Sequence, residues 1–134
     1  MCYHDEKGVR IEMIIVEGID HVNIAVKDLE ASVKFYSDLF DFEVLNDRES
    51  EFVTMTLDPI KIRLVKTDKV QNQLTVLNLP TLSFTMDVDD FTEAINEIES
   101  KGIKIEKGPE GIEGGESLLF SDPSGNFIEI YYQE

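Results

Sequence analysis

The sequence of 134 residues predicts one α+β domain built from two tandem βαβββ units. Two observations predict this fold. An alternating strand pattern leads directly into a capped amphipathic helix near residue 21, and the same pattern returns near residue 83. Three further strand-like stretches follow each helix, and a polar connector at 67–80 separates the two halves. This length is typical of one domain with one substantial core.

The first unit is expected over residues 17–66. Apolar residues alternate with polar or small ones from 21 to 28, which is typical of a half-buried strand. Asp28 is expected to cap a helix whose apolar positions recur at helical spacing up to Phe40. Strands are then predicted at 42–45, 52–57 and 60–65. The strand face that does not pack under the helix carries His21, Asn23 and Ala25.

The second unit is expected over residues 81–134. Its first strand has the same alternation, and Asp90 with Glu93 three residues later predicts the start of the second helix. Gly102 is expected to end that helix. Strands are predicted at 103–105, 118–120 and 127–132. The face turned away from the helix carries Ser83, Thr85 and Asp87.

A glycine-rich loop at 108–116 lies between two of these strands. It contains three glutamates and no Lys or Arg, and it leads into a strand, so it does not fit a phosphate-binding loop. We expect a flexible hairpin connection or a lid over a pocket.

The composition excludes several classes of function. With 12 Lys and Arg against 28 Asp and Glu, the formal charge is −16, which argues against nucleic acid and against an anionic membrane surface. One cysteine and two histidines rule out an intrachain disulfide and an all-His/Cys zinc site. Residues 1–16 are expected to be a leader, irregular up to residue 12, with a strand-like start at Met13. No export signal is evident, which favours the cytoplasm.

The order of these segments resembles the vicinal oxygen chelate superfamily, which groups glyoxalase I, bleomycin-resistance-type proteins, fosfomycin-resistance enzymes and extradiol dioxygenases. The resemblance covers about residues 17–134 as a single domain. It implies eight strands in a mixed sheet curled as a half-barrel around a cleft, and a homodimer. The residues that carry it are Asp20-His21-Val22, Asp28-Leu29-Glu30, Phe35-Tyr36 and the Asp-Pro-Ser-Gly-Asn turn leading into a strand at 122–130.

The resemblance places metal ligands at His21, Arg63, Ser83 and Glu129. His21 and Glu129 are competent ligands, Ser83 is a poor one, and the Arg63 guanidinium cannot ligate a metal. The resemblance therefore implies either no cofactor or a weakly held divalent metal ion of unknown identity at His21 and Glu129. The same two side chains are the candidate catalytic residues, with Glu129 as general base and His21 as its acid partner or orienter.

Further residues on the predicted cleft faces are candidates for binding a substrate: Arg63, Ser83, Asp87, Tyr131, Phe127 and Asn23. Arg63 is expected either to pair with Glu129 across the cleft or to receive a ligand's carboxylate. Asp87 is expected to be solvated at the cleft mouth or paired with a cation. Aromatic walls suit a planar or apolar ligand, although such residues also fill cores and dimer interfaces.

Three functions stay open. One is a protein with an incomplete metal-ligand set that binds a small molecule, for which the charge of −16 favours a cationic ligand. Another is a metal-dependent enzyme, a lyase of the lactoylglutathione-lyase type, an isomerase or a dioxygenase, that uses His21 and Glu129. A third is a protein with a vestigial cleft whose role is assembly.

Overall fold

The computed structural model describes residues 2–4, 10–45, 51–70 and 73–134. Their elements, in chain order, are β1 (Cys2–His4), β2 (Arg10–Glu12), β3 (Val22–Val26), α1 (Leu29–Phe40), β4 (Glu43–Val44), β5 (Phe52–Leu57), β6 (Ile60–Lys66), α2 (Gln73–Val76), β7 (Leu82–Thr85), α3 (Val88–Ser100), β8 (Ile105–Ile112), β9 (Gly115–Ser121) and β10 (Phe127–Gln133). None of the helices in these ranges is long and apolar enough to cross a membrane.

The two units form two four-stranded mixed sheets with the same topology. Sheet 1 has the order β3-β6-β5-β4, and sheet 2 has the order β7-β10-β9-β8. In each sheet the first strand of the unit pairs in parallel with the last, and the remaining pairs are antiparallel. The predicted α+β fold of two βαβββ units is therefore confirmed.

The N-terminal prediction is wrong in two respects. β1 and β2 pair antiparallel as a separate two-stranded sheet, whereas residues 1–12 were expected to be irregular. Met13, expected to start a strand, lies instead in a stretch without regular structure that extends to residue 21. Four apolar residues with no polar alternation do not by themselves provide the partner strand that a β-strand needs.

The helix of the first unit, α1, begins at the predicted residue, but the helix of the second unit, α3, does not. Asp28 caps α1 by accepting a hydrogen bond from the Ala31 amide, at 3.1 Å. For α3 the cap is Asp87, whose Oδ1 accepts from the Asp90 amide at 2.8 Å. Asp90 therefore lies inside the first turn of α3 and does not precede it. Gly102 follows the helix with φ +67°, in the left-handed conformation that was expected there.

One hydrophobic core joins both units. α1 packs on β5 and β6 of sheet 1, and its Phe40 ring also lies 5.0 Å from that of Phe84 and 6.2 Å from that of Phe120 in sheet 2. The sheets therefore share this core through the faces on which the helices pack. Residues from both units are fully buried in it: Ile24, Val26, Tyr36, Ile62, Leu64, Phe91, Ile128 and Ile130.

A buried polar joint ties the two units together. The Tyr36 hydroxyl on α1 donates to Asp122 Oδ2 at 2.8 Å, and Asp122 also accepts from the amides of Ser124 and Asn126, each at 2.9 Å. The Asn126 side-chain amide donates to Asp122 at 3.0 Å and to the Ala25 carbonyl of β3 at 2.9 Å. The Asp-Pro-Ser-Gly-Asn turn of the second unit is thus hydrogen-bonded to both α1 and β3 of the first unit.

The glycine-rich segment 108–116 is mostly strand. β8 and β9 are antiparallel and meet at a tight turn over Glu113 and Gly114. The expected hairpin is confirmed. Of two irregularities in register along β8, the one between Lys107 and Glu110 falls at Gly108 and Pro109.

Candidate small-molecule site on two sheet faces

Each sheet has a site face, which is the face opposite the shared core. Arg63 lies between Ile62 and Leu64, both fully buried in the core, so its side chain projects from the site face of sheet 1. Glu129 lies between Ile128 and Ile130 in the same way on sheet 2. The alternation that the sequence predicted therefore places both side chains away from the helices.

The imidazole of His21 is held by its neighbour in sequence. Asp20 Oδ2 lies 2.7 Å from His21 Nδ1, and Asp20 Oδ1 lies 3.5 Å from Lys61 Nζ. The hydrogen bond from His21 and then the charge of Lys61 lower the pKa of Asp20 below its ordinary range. Asp20 is therefore ionised at neutral pH, so it accepts this hydrogen bond and His21 donates its Nδ1 proton.

The guanidinium of Arg63 lies on a ring and beside a hydroxyl. Its Cζ lies 4.7 Å above the centre of the Phe52 ring, and its Nε donates to Thr54 Oγ1 at 3.3 Å. The sheet register puts Asn23 directly across from Arg63 on one side and Thr54 on the other. Three hydrogen-bonding side chains therefore form a row across sheet 1.

On sheet 2, Ser83 and Glu129 are direct neighbours in the parallel register. The Ser83 hydroxyl donates to Glu129 Oε1 at 2.5 Å. Phe127 and Tyr131 are half-buried at alternate positions of β10, so they belong to the same face as Glu129. The structure thus brings four of the predicted site residues together on one sheet.

Asp87 does not belong to this group. Its carboxylate caps α3, so it already has a backbone partner, and the argument that an unpaired carboxylate needs a cationic ligand no longer applies. Strand β7 also ends at Thr85, which places Asp87 beyond the alternation that was used to orient it. The structure therefore gives Asp87 a capping role at the exposed start of α3, and its part in ligand binding stays a prediction.

The sheet register also changes which residue of the second unit corresponds to His21. Val22 lies opposite Ile62, and Leu82 lies opposite Ile128. Matching the last strands through these buried isoleucines makes Val22 equivalent to Leu82, and hence His21 to Thr81. Ser83, which the resemblance placed at this ligand position, therefore lies two residues beyond the equivalent of His21.

The resulting donor set does not fit a transition-metal site. Catalytic zinc sites usually supply three protein ligands, whereas the equivalent positions here hold His21, Arg63, Thr81 and Glu129. The Glu129 carboxylate is already bound by Ser83. Within the described ranges, no three His, Cys, Asp or Glu side chains lie close enough together to hold a metal ion.

The two site faces are not joined within the described part of the chain. No hydrogen bond or ion pair there links His21 or Arg63 to Ser83 or Glu129. The ion pair between Arg63 and Glu129, one of the two alternatives that the sequence left for Arg63, is therefore not formed within this chain. Asp20 and Thr81 were not among the predicted site residues; matching the strands by their buried positions would have found Thr81.

Comparison with known proteins agrees with the observed fold. The sequence model of the Glyoxalase/Bleomycin resistance protein/Dioxygenase superfamily matches residues 18–130. The metallothiol transferase FosB of Staphylococcus epidermidis strain ATCC 12228 is 26% identical over 118 residues, which are 87% of this chain and 82% of that protein.

Solved structures of the fosfomycin resistance protein FosX from Listeria monocytogenes have the same fold. The hexagonal crystal form superposes with a TM-score of 0.74 at 18% identity, covering 90% of this chain and 96% of that one. A mutant of the same protein, complexed with Mn(II) and 1S,2S-dihydroxypropylphosphonic acid, gives a TM-score of 0.73 at 18% identity and covers 90% and 95%.

Proposed function

Because the chain belongs to the Glyoxalase/Bleomycin resistance protein/Dioxygenase superfamily, we propose that it binds a small organic molecule between its two site faces, without a resident transition metal. The donor set carries this proposal. Arg63 brings a positive charge to one ligand position, Thr81 occupies another, and a serine hydroxyl binds the carboxylate of Glu129. Two remaining donors are fewer than the three that such metal sites usually supply.

The metal content of the purified protein tests this proposal. Protein prepared without added metal should contain far less than one equivalent of Mn, Fe or Zn, and Mn(II) should bind weakly by calorimetry. The variant Thr81→His supplies a third donor and should bind Mn(II) more tightly than the wild type. Ser83→His is the matched control and should not. One tightly bound metal ion per wild-type chain would contradict the proposal.

We propose further that a homodimer completes the cleft. The two sheets share one core through their helix faces, so both site faces point away from it, and no described contact joins His21 or Arg63 to Ser83 or Glu129. A second copy could bring the site face of its sheet 2 against sheet 1 of the first. The resemblance to fosfomycin resistance proteins, whose names imply small-molecule substrates, supports a cleft of this kind.

Hybrid dimers distinguish a cleft between chains from a cleft within one chain. A chain carrying His21→Ala is mixed with a chain carrying Glu129→Gln, and ligand binding is measured. If the cleft lies between chains, each hybrid dimer regains one of its two sites, as two-fold symmetry requires, so an equimolar mixture in which half of the dimers are hybrids regains about a quarter of the wild-type capacity. No recovery would contradict the shared cleft, because every site would then keep one mutation.

An enzyme that uses His21 and Glu129 is the second candidate. It is favoured by the hydrogen bond between Asp20 and His21, which orients the imidazole. Such an enzyme would be a lyase, an isomerase or a dioxygenase, and fosfomycin with a thiol is the first substrate pair to assay, given the names of the relatives. Turnover that Glu129→Gln abolishes would favour the enzyme over the binding protein.

A further inference from the structure

Arg63 is a cation on the site face that has no carboxylate partner in the described part of the chain. Its guanidinium donates through Nε to Thr54, and none of the ion pairs between described residues includes it. Lys61, two residues earlier on the same face, is paired with Asp20. The terminal nitrogens of Arg63 therefore remain available as a two-pronged donor.

The surroundings hold this donor in one orientation. The Phe52 ring stacks under the guanidinium at 4.7 Å, and the Thr54 hydroxyl fixes its Nε. Both partners come from β5, the strand antiparallel to β6. A stacked, hydrogen-bonded guanidinium loses less freedom on binding than a mobile side chain, so it is suited to receive a planar anion.

We propose that Arg63 is the anion receptor of the cleft and binds the carboxylate of a small acid whose apolar part lies against Phe52. This inference rests on the proposed small-molecule function and names its ligand class. The overall charge of −16 favours cationic ligands at long range, but the direct contact at this position is made by a guanidinium. Asn23, across from Arg63 in the register, adds a side-chain amide donor to the row.

The placement of Arg63 makes a metal in the same position unfavourable. A fixed guanidinium repels a divalent cation, and at the same place it can neutralise an anionic group of the ligand. One positive charge thus occupies the position in which the resemblance expects a metal ligand. Binding by this receptor should be unchanged after metal ions have been removed from the protein on a chelating resin.

Protein stripped of metal ions on a chelating resin is titrated with benzoate, benzamide, phenylphosphonate and benzylamine, and binding is measured by calorimetry. Benzoate should bind, and benzamide, which has the same shape without the charge, should bind at least about tenfold more weakly, since a charge-assisted hydrogen bond typically contributes that much. Phenylphosphonate tests whether a tetrahedral anion is accepted as well. Tighter binding of benzylamine than of benzoate would overturn the proposal.

Variants separate the receptor from general charge effects. Arg63→Gln should weaken benzoate binding about tenfold to a hundredfold, and Arg63→Lys should also weaken it, because lysine keeps the charge but loses the fork. Lys66→Gln removes an equal charge from the exposed end of β6 and should change binding less than about twofold. Equal effects of Arg63→Gln and Lys66→Gln would overturn the proposal.

Glu129→Gln distinguishes failure of this inference from failure of the proposed function. If the wild type binds no benzoate and Glu129→Gln does, then Arg63 is occupied by Glu129 of a second copy. That result overturns the anion receptor and leaves the cleft between two copies intact. A tightly bound metal in the wild type overturns the proposed function instead. Loss of benzoate binding in Arg63→Gln, with Lys66→Gln behaving like wild type, supports the inference.

Discussion

Replacement of Tyr36 by phenylalanine tests the joint between the two units. Tyr36 is fully buried, and its ring packs edge-on against Phe35 at 5.1 Å and Phe42 at 6.2 Å. Phenylalanine keeps these contacts and removes only the hydroxyl that donates to Asp122 at 2.8 Å. The change therefore isolates one buried hydrogen bond that crosses between the units.

The expected loss of stability depends on the hydrogen bonds that Asp122 retains in the variant. A hydrogen bond to a charged group contributes roughly 1.5–3 kcal/mol. Asp122 would retain donors from the Ser124 amide and from the amide and side chain of Asn126, so it is not left unpaired. We therefore expect a loss of about 1.5–2 kcal/mol in the free energy of unfolding. With 134 residues, this lowers Tm by about 5–7 °C, from the unfolding entropy per residue.

Thermal and urea unfolding, followed by circular dichroism, measure this loss. Tyr132→Phe is the matched control, because its hydroxyl donates to Glu116 at 3.0 Å from a part-buried position within the second unit, and we expect a smaller loss there. If Tyr36→Phe unfolds at the wild-type midpoint, or no earlier than Tyr132→Phe, then the joint does not hold the units together as we reason.

The same hydroxyl has a second readout in alkaline solution. Burial, together with the nearby Asp122 carboxylate, raises the pKa of Tyr36 well above its ordinary value. The folded chain keeps this proton when the unfolded chain releases it near pH 10. The contribution of the protonated Tyr36 hydroxyl to the free energy of unfolding is therefore complete below about pH 10 and is lost as the pH rises further. Between pH 9 and 11 the wild type should lose more stability than Tyr36→Phe, and equal losses would contradict this assignment.

Other predictions concern α3 and the hairpin formed by β8 and β9. Asp87→Ala removes the cap of α3 and should cost about 1 kcal/mol in urea unfolding, whereas an unchanged midpoint would argue for another cap. The charge of Asp87 is the main cause that raises the pKa of Asp90, so the ionised Asp90 carboxylate destabilises the folded state at neutral pH. Asp90→Asn should therefore raise Tm, and a lower Tm would contradict this. A methyl group at Gly115 would overlap the carbonyl of Tyr132, so Gly115→Ala should cost at least about 2 kcal/mol. Gly111→Ala, where the same methyl group meets open space, should stay within about 0.5 kcal/mol of wild type.

Local patterns carried the fold prediction. Alternation in β3 and the caps of α1 are short-range features, and the predicted strand at 52–57 coincides with β5. Asp41 takes the left-handed conformation after α1 with φ +65°, as its short polar side chain allows. Each of these depends on a few neighbouring residues, so the sequence alone contained the necessary information.

The start of α3 was not determined by local pattern. Asp87 and Asp90 are both good caps, and Val88 reads equally well as the end of an alternating strand or as the first helical residue. The structure ends β7 at Thr85, which leaves Asp87 in the position of the cap. The strand that precedes the helix was also placed out of register, so Ser83 was predicted at the ligand position that the sheet register gives to Thr81, two residues earlier.

The site depended on long-range information that no local pattern contains. The prediction put His21, Arg63, Ser83 and Glu129 around one cleft. Pairing across the sheets joins Ser83 to Glu129 and Arg63 to Thr54. The stacking of Arg63 on Phe52 follows from the pairing of β5 with β6, which sequence periodicity cannot specify in register.

The joint at Asp122 makes the two halves of this chain different in kind, although they have the same topology. The second half supplies the turn with its carboxylate and amide, and the first half supplies the Tyr36 hydroxyl and the Ala25 carbonyl that meet it. The corresponding hairpin of the first half is closed by only two residues, Asp58 and Pro59. If the halves arose by duplication, they have since become complementary, so that neither could replace the other in a working chain.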